Sequence, residues 1–402
     1  MITVTEAYQL VLANKLSLKS TDVPLTEALG RVLDENIQAD RPFPPFNRVT
    51  MDGIAIRFNT FSTGTRDFPI EKVQAAGDEP YRLLNTEYCV EVMTGAILPE
   101  NTDVVIRVED ITISEGTASV NIHHQVEKLQ NIHLCGSDKA AGTVLLKKGV
   151  LLGPVELSVA ASVGKSTLKV LQYPKTVIVS TGDELVPVSE IPASHQIRIS
   201  NSYAIFSFLK KWGIAAEMIH LPDNEEYVQH KIKELLDNYD LIVLSGGVSA
   251  GKFDYIPKAL KEAGIQSFFH KVSQRPGKPF FFGSNEKTRV FALPGNPVST
   301  LLCVTRYLIP WLKESLSLAH SIQPKVKLLK TIVFNAPLTF FVPVKLTANP
   351  ETPILEAYPL PGNGSGDFAN LLDADGFIEL PENENEFQAG HFFTFWPFKL
   401  QN

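Results

Sequence analysis

Cysteine is scarce in this chain. Only Cys89, Cys135 and Cys303 occur among 402 residues, odd in number and far apart, so neither a disulfide framework nor a Cys-x-x-Cys metal site can be assembled from them. A reducing cytosol is the setting this composition fits. Long apolar runs are missing too: no stretch approaches the roughly 20 residues needed to span a bilayer. The opening Met-Ile-Thr-Val-Thr-Glu has neither the basic segment nor the apolar run of a signal peptide. A soluble, cytoplasmic protein without a membrane partner is expected. Positive charge is not in excess either. A formal charge of −7 argues against a general nucleic-acid or anionic-membrane surface, while leaving room for a local cationic pocket.

What is present is an ordinary folded composition, 44% hydrophobic and 20% charged, in a chain too long for one core, since single cores stop growing near roughly 250–300 residues. Residues 1–40 and 142–173 are expected to form one discontinuous, mainly helical linker or dimerisation domain. The signals are amphipathic stretches at 7–16 and 25–33 and a helical pattern over 151–162 opened by Gly153-Pro154. The cluster Arg41-Pro-Phe-Pro-Pro marks a boundary, after which residues 41–141 read as short strands and turns, a β-rich domain. Residues 174–318 alternate strand and helix in the rhythm of a mostly parallel α/β sheet. Apolar strands at 176–180, 240–245 and 289–293 are separated by helices at 201–212 and 225–239 whose apolar faces recur at i, i+3, i+4, i+7. Residues 319–402 alternate in period two between Gly- and Asn-rich turns and read as a C-terminal β-barrel.

In an open α/β sheet ligands sit outside the carboxyl ends of the strands. Three loops fall there: Ser180-Thr-Gly-Asp-Glu184, Ser245-Gly-Gly-Val-Ser-Ala-Gly251 leading to Asp254, and Leu293-Pro-Gly-Asn-Pro-Val-Ser299. They should converge on one rim. The backbone amides of Ser245, Gly246, Gly247, Ser249 and Gly251 suit an oxyanion, although for an isolated loop of this kind a tight strand-to-helix turn is the favoured explanation and only its company shifts the balance. Asp223 with Glu226 has the spacing of a capping box, and Asp254 precedes a helix, so each acid also has a structural explanation. Glu184 lacks one, and hard oxygen ligands of this type suit Mg²⁺. The run His270-Lys-Val-Ser-Gln-Arg-Pro-Gly-Lys278-Pro places Lys271, Arg275 and Lys278 within eight residues on a stiff backbone, a cationic rim for anions. Pro297 follows Asn296 as a first-turn proline. Gly164-Lys-Ser-Thr167 is no P-loop, because Val159 stands where the earlier glycine belongs. His123, His124 and His133 match no zinc spacing and read as surface or hydrogen-bonding residues.

Taken together, Met51-Asp-Gly-Ile-Ala55, Met93-Thr-Gly-Ala96 with Leu98-Pro99, Gly136-Ser-Asp138, Ser180 to Leu185, Ser245 to Asp254, Pro276-Gly-Lys-Pro279 and Leu293 to Ser299 resemble the MoeA family, related to the C-terminal part of gephyrin. The resemblance runs in order through nearly the whole chain. It implies an elongated homodimer of four-part subunits, an α/β domain like that of molybdopterin adenylyltransferase, and a site between the α/β domain of one subunit and the β-rich domain of the other. It implies insertion of molybdenum from molybdate into adenylyl-molybdopterin, with AMP released and the adenylyltransferase as substrate donor. Asp52, Thr94, Asp138, Glu184 and Asp254 would be its reactive polar residues, and Glu184, Asp223 and Asp254 its Mg²⁺ ligands. The substrate anions would meet Lys271, Arg275, Lys278, the Ser245 to Gly251 backbone and Ser365, with Pro294 and Pro297 shaping the entrance. The chain departs from the pattern at Arg48, where the family has a small residue, near Pro343, where an Arg often stands, and at Arg275, a Lys elsewhere. Two other readings remain: a nucleotide pyrophosphatase of the competence-damage type, whose domain resembles the α/β unit, and a molybdopterin-binding scaffold without catalysis.

Overall fold

A computed structural model of the chain describes residues 1–121, 125–248, 255–318, 322–348, 354–360, 362, 366 and 368–399. The first helix, Val4–Ala13, starts where Thr3 and Glu6 cap each other. The Thr3 hydroxyl accepts from the Glu6 amide at 3.2 Å and Glu6 Oε2 accepts from the Thr3 amide at 2.8 Å. Its face Val4, Ala7, Val11 is buried in the same core as Trp311 and Leu312. The second helix expected over 25–33 does not form. Only Leu25–Glu27 make a single 3₁₀ turn; before it Ser20–Pro24 pairs antiparallel with Thr167–Leu171, and after it Val32 and Leu33 bridge to Leu151 and Val170. β-branched Thr21 and Val23 favour the extended chain, and Gly30, at φ +74°, turns it where a helix would continue. The apolar spacing that mimicked a helix instead fills a small core with Leu152, Ala160, Leu168 and Val170. Ile37–Gln38 pairs with Val144–Leu146, so the first forty residues return to the segment that carries helix Pro154–Ser162. That helix opens as its sequence predicts, with Gly153 as cap and Pro154 in the first turn.

Between those halves lies a six-stranded sheet in the order Val104–Arg107, Gly53–Ile56, Cys89–Val92, Asp67–Gln74, Thr117–Val120, Ile111–Ser114. Its period-two alternation feeds two cores: Ile54, Ile56 and Ile106 face one side, Ala55, Val90 and Val105 the other. Gly53 is required here, since a Cβ would lie 1.9 Å from the Ile106 carbonyl oxygen.

The α/β unit is a second six-stranded sheet, ordered Ala216–Leu221, Thr176–Thr181, Leu241–Ser245, Arg289–Leu293, Phe281–Ser284, Gln266–Phe269; the first four run parallel and the last two antiparallel. Its central strands are buried on both faces. Asn201–Lys211 covers one face through Ile205 and Leu209, and Glu225–Asn238 the other through Val228, Ile232, Leu235 and Leu236. Beyond it, Thr339–Ala348, Leu355–Pro359, Lys325–Leu328, Phe392–Pro397 and Gly376–Leu380 pair in turn, and the last returns to the first, closing a five-stranded barrel. Gln274–Arg275 of the α/β unit adds to its outside, parallel to Thr339 and Phe340.

One buried ion pair fixes the barrel against the rest. The helical run Pro297–Cys303 widens into a π turn at Val304–Leu308 before Ile309–Ser315. Within that turn Arg306, 5% exposed, sends Nε to Glu379 Oε2 at 3.0 Å and Nη2 to Oε1 at 3.5 Å. Its guanidinium lies 4.3 Å from the ring centres of both Tyr8 and Trp396, and Trp396 Nε1 donates to Glu379 Oε2 at 2.7 Å. Glu379→Ala leaves a buried guanidinium without its counter-charge and should cost on the order of 3–5 kcal/mol, read as a lower denaturation midpoint. The double replacement Arg306→Met with Glu379→Leu should recover most of that loss; if it melts as low as the single variant, the pair is not the source.

Candidate active site

The three strand-end loops converge. The Gly246 amide donates to the Leu293 carbonyl at 3.1 Å, and Asn201 Nδ2, in the first turn of its helix, donates to Ser245 Oγ at 2.9 Å and to the Gly295 carbonyl at 2.7 Å. His270 Nε2 donates to the Val248 carbonyl at 3.0 Å and so ties the cationic segment to the same loop. Gly246 and Gly247 both adopt positive φ, and a Cβ would lie 2.9 Å from the Thr181 carbonyl oxygen at the first and 2.8 Å from Ile256 Cγ1 at the second. No side chain fits at either position, which leaves the main chain as the surface this turn presents.

Acids gather at the ends of the two strands beside it. The Asp223 amide donates to Asp183 Oδ1 at 3.0 Å and the Asp183 amide to Asp223 Oδ2 at 3.4 Å, a reciprocal clasp between adjacent loops. Asp223 is therefore not a helix cap, contrary to its capping-box spacing with Glu226. Asn224 caps that helix, accepting from the Tyr227 amide at 2.9 Å. The Glu184 carboxylate folds over Gly182, where a Cβ would lie 2.3 Å from Oε2. Glu184 and Asp223 are hard oxygen donors, the side-chain type through which hydrated Mg²⁺ is held by one or two carboxylates. Among the described residues no group of three or more His, Cys, Asp or Glu side chains is placed to hold a metal ion. Asp254, Ser249, Gly251 and Ser365, with His123 and His124, lie outside the described residues.

A cleft of about 650 Å³ opens between the α/β unit and the barrel. Arg275, Lys278 and Pro294 line it from one side, with Asn296 and Ser299; Leu338, Phe340, Val342, Pro343 and Leu360 form the facing wall. Lys271 and Pro297 are not among its lining residues. Pro343, where the sequence pattern departs from an expected Arg, makes the facing wall apolar. The cationic segment is braced from inside by Gln274, which is fully buried. Its Oε1 accepts from the Tyr307 hydroxyl at 2.5 Å and its Nε2 donates to the Gly277 carbonyl at 3.2 Å. Burial holds the Tyr307 hydroxyl well above the ordinary phenol range, so it stays a donor. Sequence reasoning passed over Asn201, Gln274 and the barrel wall. The first carries a usable signal, a polar amide opening a helix beside two glycine loops, whereas apolar wall residues look the same in sequence as core.

The remaining candidates form a separate group on the β-rich sheet. The Thr94 amide and hydroxyl donate to Asp52 Oδ1 at 2.6 and 2.7 Å. His133 Nε2 meets Asp138 Oδ1 at 3.0 Å, which gives that histidine the hydrogen-bonding role its sequence suggested. Neither pair lines the cleft within one chain. Lys165, of the rejected P-loop, is engaged elsewhere by Glu35 at 2.6 Å.

The glycine-loop α/β unit, the acidic strand end and the cationic cleft make a candidate site for anions, in the class of protein that binds an anionic ligand between an α/β unit and a barrel, and comparison with known proteins gives the family. Family models match along the chain in order: the MoeA N-terminal region (domain I and II) over residues 2–164, a probable molybdopterin binding domain over 177–314, and the MoeA C-terminal region (domain IV) over 325–398. A molybdopterin molybdenumtransferase of Synechocystis is 37% identical over 399 residues, covering 98% of this chain and all of the relative; one from Staphylococcus epidermidis is 29% identical over 97% of this chain and 94% of its own. The crystal structure of a molybdopterin biosynthesis MoeA protein from Pyrococcus horikoshii superposes with a TM-score of 0.85 at 28% identity, each chain covered in full. The chain belongs to the MoeA family. A pyrophosphatase reading, which rested on the α/β unit alone, is not favoured by matches that extend well to either side of it.

The Thr94 hydroxyl, and after it the Thr94 amide, hold the Asp52 carboxyl below its usual range. A lowered value means that this contact is complete above the ordinary aspartate pKa of about 4 and is lost as pH falls through the depressed value. Thr94→Val removes the hydroxyl and keeps the amide, so an NMR titration of the Asp52 carboxyl should show its pKa rising part of the way to the ordinary value. An unchanged curve would show that the hydroxyl contributes nothing.

Proposed function

We propose that this chain is a transferase that completes the molybdenum cofactor: it binds adenylyl-molybdopterin and molybdate, places molybdenum on the dithiolene, and releases AMP. Family membership over the whole chain supports the place in cofactor biosynthesis, and the cleft carrying Arg275 and Lys278 is the observation that carries the site. Both substrates are anions, and in a cleft walled on the other side by Phe340, Val342 and Pro343 two cations act through less water than on an open surface. The planar pterin suits that apolar wall, and the Gly246-Gly247 main chain suits a phosphate.

Glu184 and Asp223, with Asp254, would hold Mg²⁺ in this reading, and the ion would supply the positive charge that lets an acidic strand end accept a phosphoanhydride. The protein's own part is to clamp that anhydride between acid and cationic loops while water enters at phosphorus, giving AMP and leaving the phosphate on the pterin. The two thiols of the dithiolene displace one molybdate oxygen, which departs as water carrying their two protons. Asp52, Thr94 and Asp138 come to this cleft from the second subunit of a homodimer, in the cytoplasm, and a molybdopterin adenylyltransferase supplies the substrate.

The reading is tested by AMP release from purified adenylyl-molybdopterin with Mg²⁺, with and without molybdate. Release should depend on molybdate, fall on the order of a hundredfold in Lys278→Ala and in Glu184→Ala, and stop on chelation. Substrate binding without AMP release in the native chain would make it a carrier or scaffold instead. Subunit sharing has its own readout: mixing inactive Asp52→Asn and Lys278→Ala chains should restore roughly a quarter of native activity, because half the dimers carry one intact site. No recovery on mixing would place Asp52 outside a shared site.

A further inference from the structure

His133 has no part in the chemistry proposed above, yet it sits in the middle of a hydrogen-bonded line. Arg48 Nη2 lies 3.2 Å from His133 Nδ1, and His133 Nε2 lies 3.0 Å from Asp138 Oδ1. Guanidinium is a donor only, so Nδ1 must accept; the ring then carries its proton on Nε2 and donates to the carboxylate. The backbone enforces the alignment. Arg48–Val49 pairs antiparallel with Ile132–His133, placing Arg48 directly opposite His133, and the Val49 amide and carbonyl are taken by Ala96 and Gly95, next to Thr94. One two-residue strand thus holds the Asp52–Thr94 pair and the Asp138 group in register.

From this geometry we infer that His133 is a positioning residue for Asp138, its tautomer set by Arg48, and that the three act as one unit: a fixed cation, a ring of defined polarity and an oriented carboxylate. The ring holds one carboxylate oxygen and leaves the other for substrate, in a side chain that is otherwise 58% exposed and would rotate freely. Arg48, a departure from the family pattern, therefore works through the ring and not as a loose charge at the rim. The inference rests on the assignment of Asp138 to the site.

The test measures molybdate-dependent AMP release in Asp138→Asn, His133→Phe, Arg48→Met and the double variant Asp138→Asn with His133→Phe, alongside ¹⁵N NMR of the histidine ring in the native chain and in Arg48→Met. His133→Phe should lower kcat on the order of tenfold to a hundredfold, as loss of an orienting partner does elsewhere, with KM for adenylyl-molybdopterin little changed. It should have no further effect once Asp138 is Asn. The native ring should show a protonated Nε2 and a bare Nδ1, and Arg48→Met should mix the two tautomers. Native kcat in His133→Phe while Asp138→Asn is impaired overturns the positioning role and leaves the site reading intact. Native kcat in Asp138→Asn overturns both. A ring protonated on Nδ1 in the native chain overturns the role given to Arg48.

Discussion

Everything that shapes the cleft depends on how the barrel is held against the α/β unit, and that is decided by Arg306. A guanidinium in a protein interior must find a carboxylate and planar partners, and here they come from three parts of the chain: Glu379 and Trp396 from the barrel, Tyr8 from the first helix, and Tyr307 from the π turn that carries the arginine itself. The adjacent Tyr307, whose ring centre lies 5.4 Å from the same guanidinium, donates its hydroxyl to Gln274, and Gln274 braces the cationic segment. Two neighbouring residues in one widened helical turn therefore set the distance between the cleft's walls and the shape of its charged lip.

The electrostatics divide along the same line. An acidic chain, −7 overall, concentrates Arg275 and Lys278 on the cleft while Asp183, Glu184 and Asp223 stand at the neighbouring strand ends. Acids and bases kept on separate loops remain available to different parts of a substrate; had they paired, each would have cancelled the other. The reciprocal clasp of Asp183 and Asp223 through their own backbone amides serves that separation, since it orders both acids without using a cation.

Much of this was legible in the sequence, for identifiable reasons. Strands such as Leu241–Ser245 are apolar up to their last residue because both faces are covered, and Glu225–Asn238 buries the residues its periodicity named. The glycine loops, the cationic segment and the acids were visible as motifs because their chemistry needs particular residue types. The illegible parts are those where spacing has more than one meaning. The apolar spacing at 25–33 fits a helix as well as it fits a 3₁₀ turn followed by bridging residues, and long-range pairing to Leu151 and Val170 decides it. Asp223 with Glu226 fits a capping box, but Asn224 is the better-placed cap. The cleft's apolar wall exists only because Gln274–Arg275 adds to a barrel strand more than sixty residues away, and no local pattern encodes that.

The crowding beneath Gly246 and Gly247 limits how such a protein can diversify. With the Thr181 carbonyl below one glycine and Ile256 below the other, this turn admits no new side chain. Its preference can be inherited but not tuned. If the proposed function holds, selection for a different substrate would act on the cleft's barrel wall, where Leu338, Phe340, Val342 and Pro343 are side chains that tolerate exchange of apolar shapes. Related chains that differ in the cargo they accept should therefore diverge across the barrel wall while their glycine turns stay superimposable.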